Sequence, residues 1–218
     1  MTSGLTKEEL NRKLLHVLAV LIPVGIYYGP TYFEVDRIWA SALIFIIMLF
    51  AFFIEFGRVK NNTFGTLFLR LFGSMMRKEE RWKLTGATYL ICGSAICSLV
   101  SLYEGAAACA FLSLTLFILG DAAAALVGKA FGRVKVGGKT LEGSIGCFLL
   151  CTILGGFLFP ILPGFLDGWG GEWSLLAVLA LSLTVTLLEL IPVKFMGIVI
   201  NDNLYVPAMT VVVALLLK

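Results

Sequence analysis

The sequence predicts an all-α, polytopic integral membrane protein with about seven transmembrane helices plus one interfacial amphipathic helix. Apolar residues make up 59% of the 218 positions and charged residues 14%, whereas soluble domains have about 45–50% and 25%. Apolar stretches long enough to cross ~30 Å of hydrocarbon recur along the chain. The basic residues are confined almost entirely to alternate connections between these stretches, as is typical of membrane proteins.

Seven segments are apolar enough to span a bilayer, and we expect each to be a helix. They are residues 14–29, 38–55, 84–103, 105–127, 143–166, 173–193 and 203–217. The last is the weakest, because its length gives a helix of only ~22 Å and it contains Pro207. No internal repeat is visible, so residues 1–218 are predicted to form a single membrane-embedded domain.

The distribution of positive charge predicts the orientation in the membrane. Of the 17 Lys and Arg residues, all except Arg37 and Lys218 fall on one side of the predicted spans. Since positively charged loops stay in the cytoplasm, the N-terminus and the basic loops are predicted to be cytoplasmic and the C-terminus to lie on the opposite side.

Residues 61–76 predict a helix that lies on the membrane without crossing it. Large apolar residues recur there at helical spacing, namely Phe64, Leu67, Phe68, Leu71, Phe72, Met75 and Met76. This stripe has basic flanks, which suit an anionic membrane surface. Two interpretations remain open: a simple anchor, or a wall for a lipid substrate that enters from the inner leaflet.

The five cysteines are predicted to be small buried apolar residues. They lie within apolar segments, none forms a CxxC pair, and the single histidine, His16, is distant in sequence. We therefore infer neither a disulfide nor a zinc site.

Asp121 is the first candidate for a functional residue, because it lies within an apolar segment about 10 Å of helical rise before Gly128. An ionisable group at such a depth is energetically costly and is most often functional. The alternative is that Asp121 pairs with a Lys or Arg of a neighbouring helix and only fixes the packing.

The loop that follows Asp121 is rich in glycine and in basic residues, which suits phosphate binding. We predict that a phosphate-bearing ligand contacts Gly128, Lys129, Gly132, Arg133, Lys135, Gly138, Lys139 and Thr140. A P-loop is excluded, because its pattern requires glycine at the position of Arg133 and a preceding strand. The alternative is that these basic residues bind no ligand and serve only to keep the loop on the cytoplasmic side of the membrane.

Two further polar groups are predicted to lie on the same side of the membrane. Arg12 and Lys13 fall within one helical turn of His16 at the start of the first span, and Asp202 and Asn203 open the last one. Asp202 and Asn203 either cap that helix or belong to a site. Carboxylates of Asp121, Glu142 and Asp202 would suit Mg²⁺, which prefers few carboxylates together with substrate phosphates.

These motifs and their order along the chain resemble those of the dolichol kinase/phytol kinase family. That family includes CTP-dependent diacylglycerol kinases and farnesol kinases. The resemblance rests on four motifs: Glu9-x-x-Arg-Lys-x-x-His16, Thr85-Gly-Ala-Thr-Tyr89, Gly120-Asp-x-x-Ala-x-x-x-Gly-Lys-x-Phe-Gly132 with Gly138-Lys-Thr-x-Glu-Gly-Ser144, and Glu189-x-x-Pro192 with Asp202-Asn-Leu-x-x-Pro207.

This resemblance implies transfer of the γ-phosphoryl group of CTP, with a divalent metal, to the hydroxyl of a membrane lipid alcohol such as a polyprenol, phytol, farnesol or diacylglycerol. The expected catalytic residues are Asp121, Glu142, Arg12 and Lys13, and the expected Mg²⁺ ligands are Asp121, Asp202 and Asn203. Either Asp121 or Glu142 would orient the lipid hydroxyl. The rival functions are a cytidylyltransferase that makes CDP-diacylglycerol and a small transporter. Nothing indicates nucleic-acid binding.

Overall fold

The computed structural model describes residues 7–195 and 197–218, which are mostly helical. The α-helices are α1 (Lys7–Leu18), α2 (Leu21–Tyr32), α3 (Arg37–Lys60), α4 (Asn62–Phe72), α5 (Gly86–Val100), α6 (Ala107–Phe131), α7 (Leu141–Ile153), α8 (Phe165–Trp169), α9 (Leu175–Leu190) and α10 (Asp202–Leu217). Short 3-10 helices cover Gly73–Met75, Lys78–Arg81 and Phe159–Ile161.

Each of the seven predicted spans falls on apolar helix, so the predicted class of all-α polytopic membrane protein is confirmed. Four helical segments of the described chain are long and apolar enough to cross a bilayer: Arg12–Tyr32, Arg37–Lys60, Ala107–Phe131 and Leu141–Ile161. Helices α5, α9 and α10 are apolar but shorter. The protein is therefore an integral membrane protein.

Two spans are less regular than the sequence predicted. The first is divided between α1 and α2. The fifth leaves α-helical geometry after Ile153 and continues as a π turn, Leu154–Leu158, and a 3-10 turn. Its two consecutive glycines and Pro160 account for this change, because both residue types weaken an α-helix.

Helix α6 forms the centre of the bundle. Nearly every side chain in its first half is buried, and it packs against α2, α5, α7, α9 and α10. Helix α3 is peripheral and exposes large apolar side chains along most of its length. Because α6 is enclosed along its first half, a charged group that the helix carries towards the core is best paired within the protein.

The basic connections meet at one end of this bundle, which we call the basic end: the starts of α1, α5 and α10, the end of α9 and the connections 61–85, 132–140 and 191–201. Side-chain hydrogen bonds link these segments directly. At the other end, Tyr27 donates a hydrogen bond of 2.7 Å to the carbonyl of Gly164, and Lys218 donates one of 2.6 Å to Gly105. The Lys and Arg count thus matches the geometry of the bundle.

Two short antiparallel hairpins, which the sequence did not predict, lie at the basic end. They pair β1 (Lys135–Val136) with β2 (Lys139–Thr140), and β3 (Lys194–Phe195) with β4 (Ile198–Val199). Gly137 opens the first turn with a φ of 61°, a conformation that glycine adopts without steric cost. Equivalent backbone hydrogen bonds, 2.9 Å from Leu141 to Val134 and 3.0 Å from Ile200 to Val193, close both hairpins.

The predicted amphipathic helix is present as α4 and the 3-10 turn after it. The side chain of Asn61 caps α4 by accepting a hydrogen bond of 3.1 Å from the amide of Phe64. Phe68 of the apolar stripe faces α3, where the Arg58 guanidinium lies over its ring. Large apolar side chains such as Leu67 and Leu71 remain exposed. Membrane anchoring by this face stays a prediction.

The cysteines occupy the packed interior as predicted. All five are free thiols, four of them buried and Cys92 half-buried. A Cβ atom on Gly120 would lie 2.9 Å from the sulfur of Cys147 and 3.0 Å from that of Cys151. These two cysteines therefore act as packing residues between α6 and α7.

Candidate active site at the basic end

The first polar cluster joins the N-terminal helix to α6. Lys13 Nζ lies 2.7 Å from Asp121 Oδ2, and His16 Nε2 lies 3.3 Å from the same oxygen. Lys13 is buried, and the imidazole of His16 packs edge-on against Phe117. Asp121 thus has a lysine partner on a neighbouring helix, as the packing alternative expected. The same arrangement places a charged group at the end of the bundle that carries the basic loops.

The second cluster joins the first hairpin to the last two helices. Lys139 Nζ lies 2.5 Å from Glu189 Oε1 and 2.8 Å from Asp202 Oδ2. Burial acts to lower the pKa of Lys139, but the carboxylates of Asp202 and Glu189 outweigh it and raise that pKa above its ordinary value. The stabilisation that depends on the charge of Lys139 is therefore fully present below the ordinary lysine pKa of about 10.4 and is lost as the pH rises above it.

The two clusters form one electrostatic unit. Asp121 interacts electrostatically with Lys139 and with Glu189, and His16 interacts with Asp202. Each predicted metal-binding carboxylate faces a lysine, and the described residues hold no group of three His, Cys, Asp or Glu side chains close enough to bind a metal by themselves. This donor set still fits Mg²⁺, because that ion takes most of its oxygens from phosphates and water.

The glycines of the predicted phosphate loop have a packing role around Thr140. This residue caps α7, and its hydroxyl accepts a hydrogen bond of 3.2 Å from the amide of Gly143. A Cβ atom on Gly128 would lie 2.5 Å from Thr140 Oγ1, and one on Gly132 would overlap the Thr140 methyl group. The glycines therefore permit α6, α7 and the hairpin to approach closely. This packing role explains their presence in the loop without any ligand.

The remaining basic residues of this loop do not gather around Lys139. Arg133 and Lys135 are exposed, whereas Lys129 is half-buried at the end of α6. The register pairs Lys135 with Thr140, and neighbouring strand residues alternate between faces, so Lys135 and Lys139 lie on opposite faces of the hairpin. The structure thus brings together only part of the predicted phosphate-binding set.

Glu142 lies beside a surface cavity. Its carboxylate accepts hydrogen bonds of 3.1 and 3.3 Å from the amide of Val134 and so closes the loop. A cavity of about 470 Å³ adjoins it, lined by Ala130, Phe131, Gly132, Arg133 and Glu142. That volume is within the range of small-molecule sites. The side-chain hydrogen bonds of Glu142 thus hold it to Val134 and join it to neither lysine cluster.

Asn203 connects the site to α5. Its side-chain amide donates a hydrogen bond of 2.8 Å to the carbonyl of Gly86, at the first position of that helix. The preceding Thr85 is held by Glu55 Oε1, which accepts hydrogen bonds from its amide (2.8 Å) and from its hydroxyl (2.7 Å). Glu55 in turn pairs with Arg58. The motif that begins at Thr85 therefore positions α5 against the start of α10.

The sequence pattern indicates no functional role for three of these residues. Glu55 ends a predicted span, Arg58 is one of the counted basic residues, and Glu189 enters only through a motif. The carboxylate of Glu189 is 4% exposed, so it is as unusual in an apolar helix as Asp121. The criterion that selected Asp121, an acidic residue within an apolar segment, would also have selected Glu189.

The chain is similar to curated lipid kinases of two fungi. It is 30% identical over 192 residues to CTP-dependent diacylglycerol kinase 1 of Saccharomyces cerevisiae, covering 82% of this chain and 63% of that protein. The resemblance predicted from the motifs is confirmed. For CTP-dependent diacylglycerol kinase 1 of Eremothecium gossypii the identity is 25% over 191 residues, covering 82% of this chain and 57% of that kinase.

The chain thus spans about three fifths of the length of these kinase relatives. No family model matches it, and neither does any solved structure.

Proposed function

We propose that this protein is a CTP-dependent lipid kinase that transfers the γ-phosphoryl group of CTP to the hydroxyl of diacylglycerol or a related membrane lipid alcohol. The observation that carries the proposal is the pair of lysine–carboxylate clusters at the basic end of an apolar bundle. Lys13 with Asp121, and Lys139 with Glu189 and Asp202, place ionised groups where the hydrocarbon region meets the basic loops. The names of the two fungal relatives supply the donor and the acceptor.

The nucleotide would bind beside the first hairpin. Its triphosphate carries several negative charges, and Lys129, Arg133, Lys135 and Lys139 are the cations of this region. The cavity beside Arg133 has the volume for a nucleotide base and ribose. Because Lys135 and Lys139 lie on opposite faces of the hairpin, we assign Lys139 to the transferred phosphate and the exposed cations to the rest of CTP.

A magnesium ion would be held by Asp121 and Asp202, with Asn203 beside them. When bound, Mg²⁺ would neutralise the charge that develops on the phosphate oxygens during transfer. The side chains of this chain bind and orient the two substrates. Lys13 and Lys139 pair with these carboxylates, and Arg12, which interacts with Asp121, extends the cationic surface.

The lipid would approach from the membrane. Helices α3 and α9 and the amphipathic α4 expose large apolar side chains, which suit contact with acyl chains. On the positive-inside rule, we place the N-terminus and the basic end in the cytoplasm and the C-terminus on the opposite side. The donor would therefore come from the cytoplasm and the acceptor from the inner leaflet, where α4 would form a wall beside it.

The decisive experiment is a transfer assay with CTP labelled on its γ-phosphate and purified protein in mixed micelles. The acceptors are diacylglycerol, phytol, farnesol, geranylgeraniol and a polyprenol, and ATP serves as the alternative donor. We expect labelled lipid phosphate and release of CDP. Release of pyrophosphate would instead identify a cytidylyltransferase, and absence of transfer to every acceptor would reject the kinase proposal and leave a transport function.

A further inference from the structure

Glu189 is a buried carboxylate of which only one oxygen has a partner. Oε1 accepts a hydrogen bond of 2.5 Å from Lys139, whereas buried Oε2 has no hydrogen-bond partner among the described residues. A buried acceptor without a partner is destabilising, and more so if it is charged. Such an atom in a folded protein calls for an explanation, and a substrate group that binds to it is one.

The position of this carboxylate is fixed by its surroundings. Glu189 lies in the last turn of α9, and the hydroxyl of Tyr205 shares its proton between the carbonyls of Leu188 (2.6 Å) and Ile191 (3.1 Å). These bonds tie the end of α9 to α10, while Lys139 holds the carboxylate from the hairpin. The unpartnered Oε2 is consequently held in place before any substrate binds.

The chain leaves α9 on an exposed apolar surface just after Glu189. Ile191 and Val193 are 57% and 36% exposed. A lipid held along this surface would bring its head region to the end of α9, next to Glu189. The cation that we assign to the transferred phosphate, Lys139, is already bound to this carboxylate.

The other two acidic candidates are less suitable for binding a hydroxyl. Asp121 Oδ2 accepts a hydrogen bond from Lys13 and faces His16, so the predicted hydroxyl-binding role of Asp121 competes with these partners. The carboxylate of Glu142 is held by the amide of Val134. Among the three, Glu189 is the one with a buried, unpartnered oxygen.

We propose that Glu189, and neither Asp121 nor Glu142, accepts the hydrogen bond of the lipid hydroxyl and takes up its proton; this inference rests on the kinase activity proposed above. The hydroxyl oxygen forms a bond to the γ-phosphorus of CTP, and the bond from that phosphorus to the β,γ-bridging oxygen breaks. CDP leaves with the electron pair, and the hydroxyl proton passes to Glu189 Oε2 and then to solvent. Lys139 thus joins the carboxylate to the transferred phosphate.

The test compares Glu189→Gln with the matched variant Ser182→Ala, which changes another buried side chain seven residues earlier on α9. General-base catalysis contributes about 10²- to 10⁴-fold, so kcat of Glu189→Gln should fall by that factor with little change in the KM for CTP. Ser182→Ala should keep the wild-type kcat. The assay is repeated with an acceptor lipid that carries fluorine atoms next to its hydroxyl. Because fluorine makes the hydroxyl more acidic, it needs less help from a base, and the decrease in kcat of Glu189→Gln should be smaller with this lipid.

A second measurement uses the unmodified protein and therefore does not depend on a variant that folds. A lipid analogue with an ammonium group in place of the hydroxyl should inhibit at least tenfold more strongly than the analogue with hydrogen there, because a cation would pair with Glu189. Equal inhibition by the two analogues overturns the proposal, as does wild-type kcat in Glu189→Gln or an effect confined to the KM for CTP. If the wild type phosphorylates none of the acceptors, the proposed function itself has failed.

Discussion

Lys139 neutralises two carboxylates at once, so its removal should affect both stability and catalysis. In Lys139→Ala, Glu189 and Asp202 would face each other without a cation. Removal of one partner from a buried ion pair costs about 3–5 kcal/mol. Since the Lys139 side chain is 30% exposed, water screens part of this cost, and we expect a loss of about 2–3 kcal/mol in the free energy of unfolding.

The expected loss is large enough to measure in detergent. For a chain of this size 1 kcal/mol corresponds to about 2–4 °C in Tm, so the Tm of Lys139→Ala should fall by about 4–12 °C. The double variant Lys139→Ala/Glu189→Gln should regain about half of that loss, because one of the two unpaired charges is then absent. Lys135→Ala, which removes an exposed lysine of the same hairpin, serves as the control and should leave Tm unchanged.

The same variant should lose its use of the nucleotide. Loss of a charge-assisted contact to phosphate costs about 1.5–3 kcal/mol, which corresponds to a ten- to hundredfold decrease in kcat/KM for CTP. The KM for the lipid should change much less, and Lys139→Arg should restore only part of the activity. Our account of this cluster is refuted if Lys139→Ala melts at the temperature of Lys135→Ala, or if the double variant is less stable than Lys139→Ala.

Three further predictions concern other parts of the bundle. Asp121→Asn should abolish phosphoryl transfer while the protein still inserts, because the amide keeps a hydrogen bond to Lys13 but loses the charge; near-wild-type turnover of the purified variant would remove Asp121 from the site. Gly128→Ala should lower Tm, because its Cβ would lie 2.5 Å from Thr140 Oγ1, whereas Gly138→Ala, which meets no atom within 4 Å, should not; equal melting temperatures would contradict this packing role. In a cysteine-free background, impermeant thiol reagents added outside cells should label a cysteine introduced at position 218 but not one at position 3; labelling of both would exclude opposite locations for the chain ends.

The sequence was sufficient for the properties that depend on a single segment. The length and apolarity of each segment predicted the seven helical spans, and the helical spacing of apolar residues in 61–76 predicted α4. Asp121 was identified by the cost of a charge within an apolar helix. The count of Lys and Arg grouped the basic connections at one end of the bundle, since charge excludes those connections from hydrocarbon wherever they lie in the chain.

Only the tertiary structure decided which polar groups face one another. Lys13 meets Asp121 across 108 residues, and Lys139 meets Glu189 across 50 and Asp202 across 63. Such distant pairs depend on how the helices pack around α6, which no local pattern encodes. The same packing placed Lys135 and Lys139 on opposite faces of a hairpin and gave the glycines around Thr140 their role. The membrane-spanning helices therefore follow from the hydrophobicity of each segment by itself. The charged site depends on residues far apart in the chain, which meet only when the helices pack together.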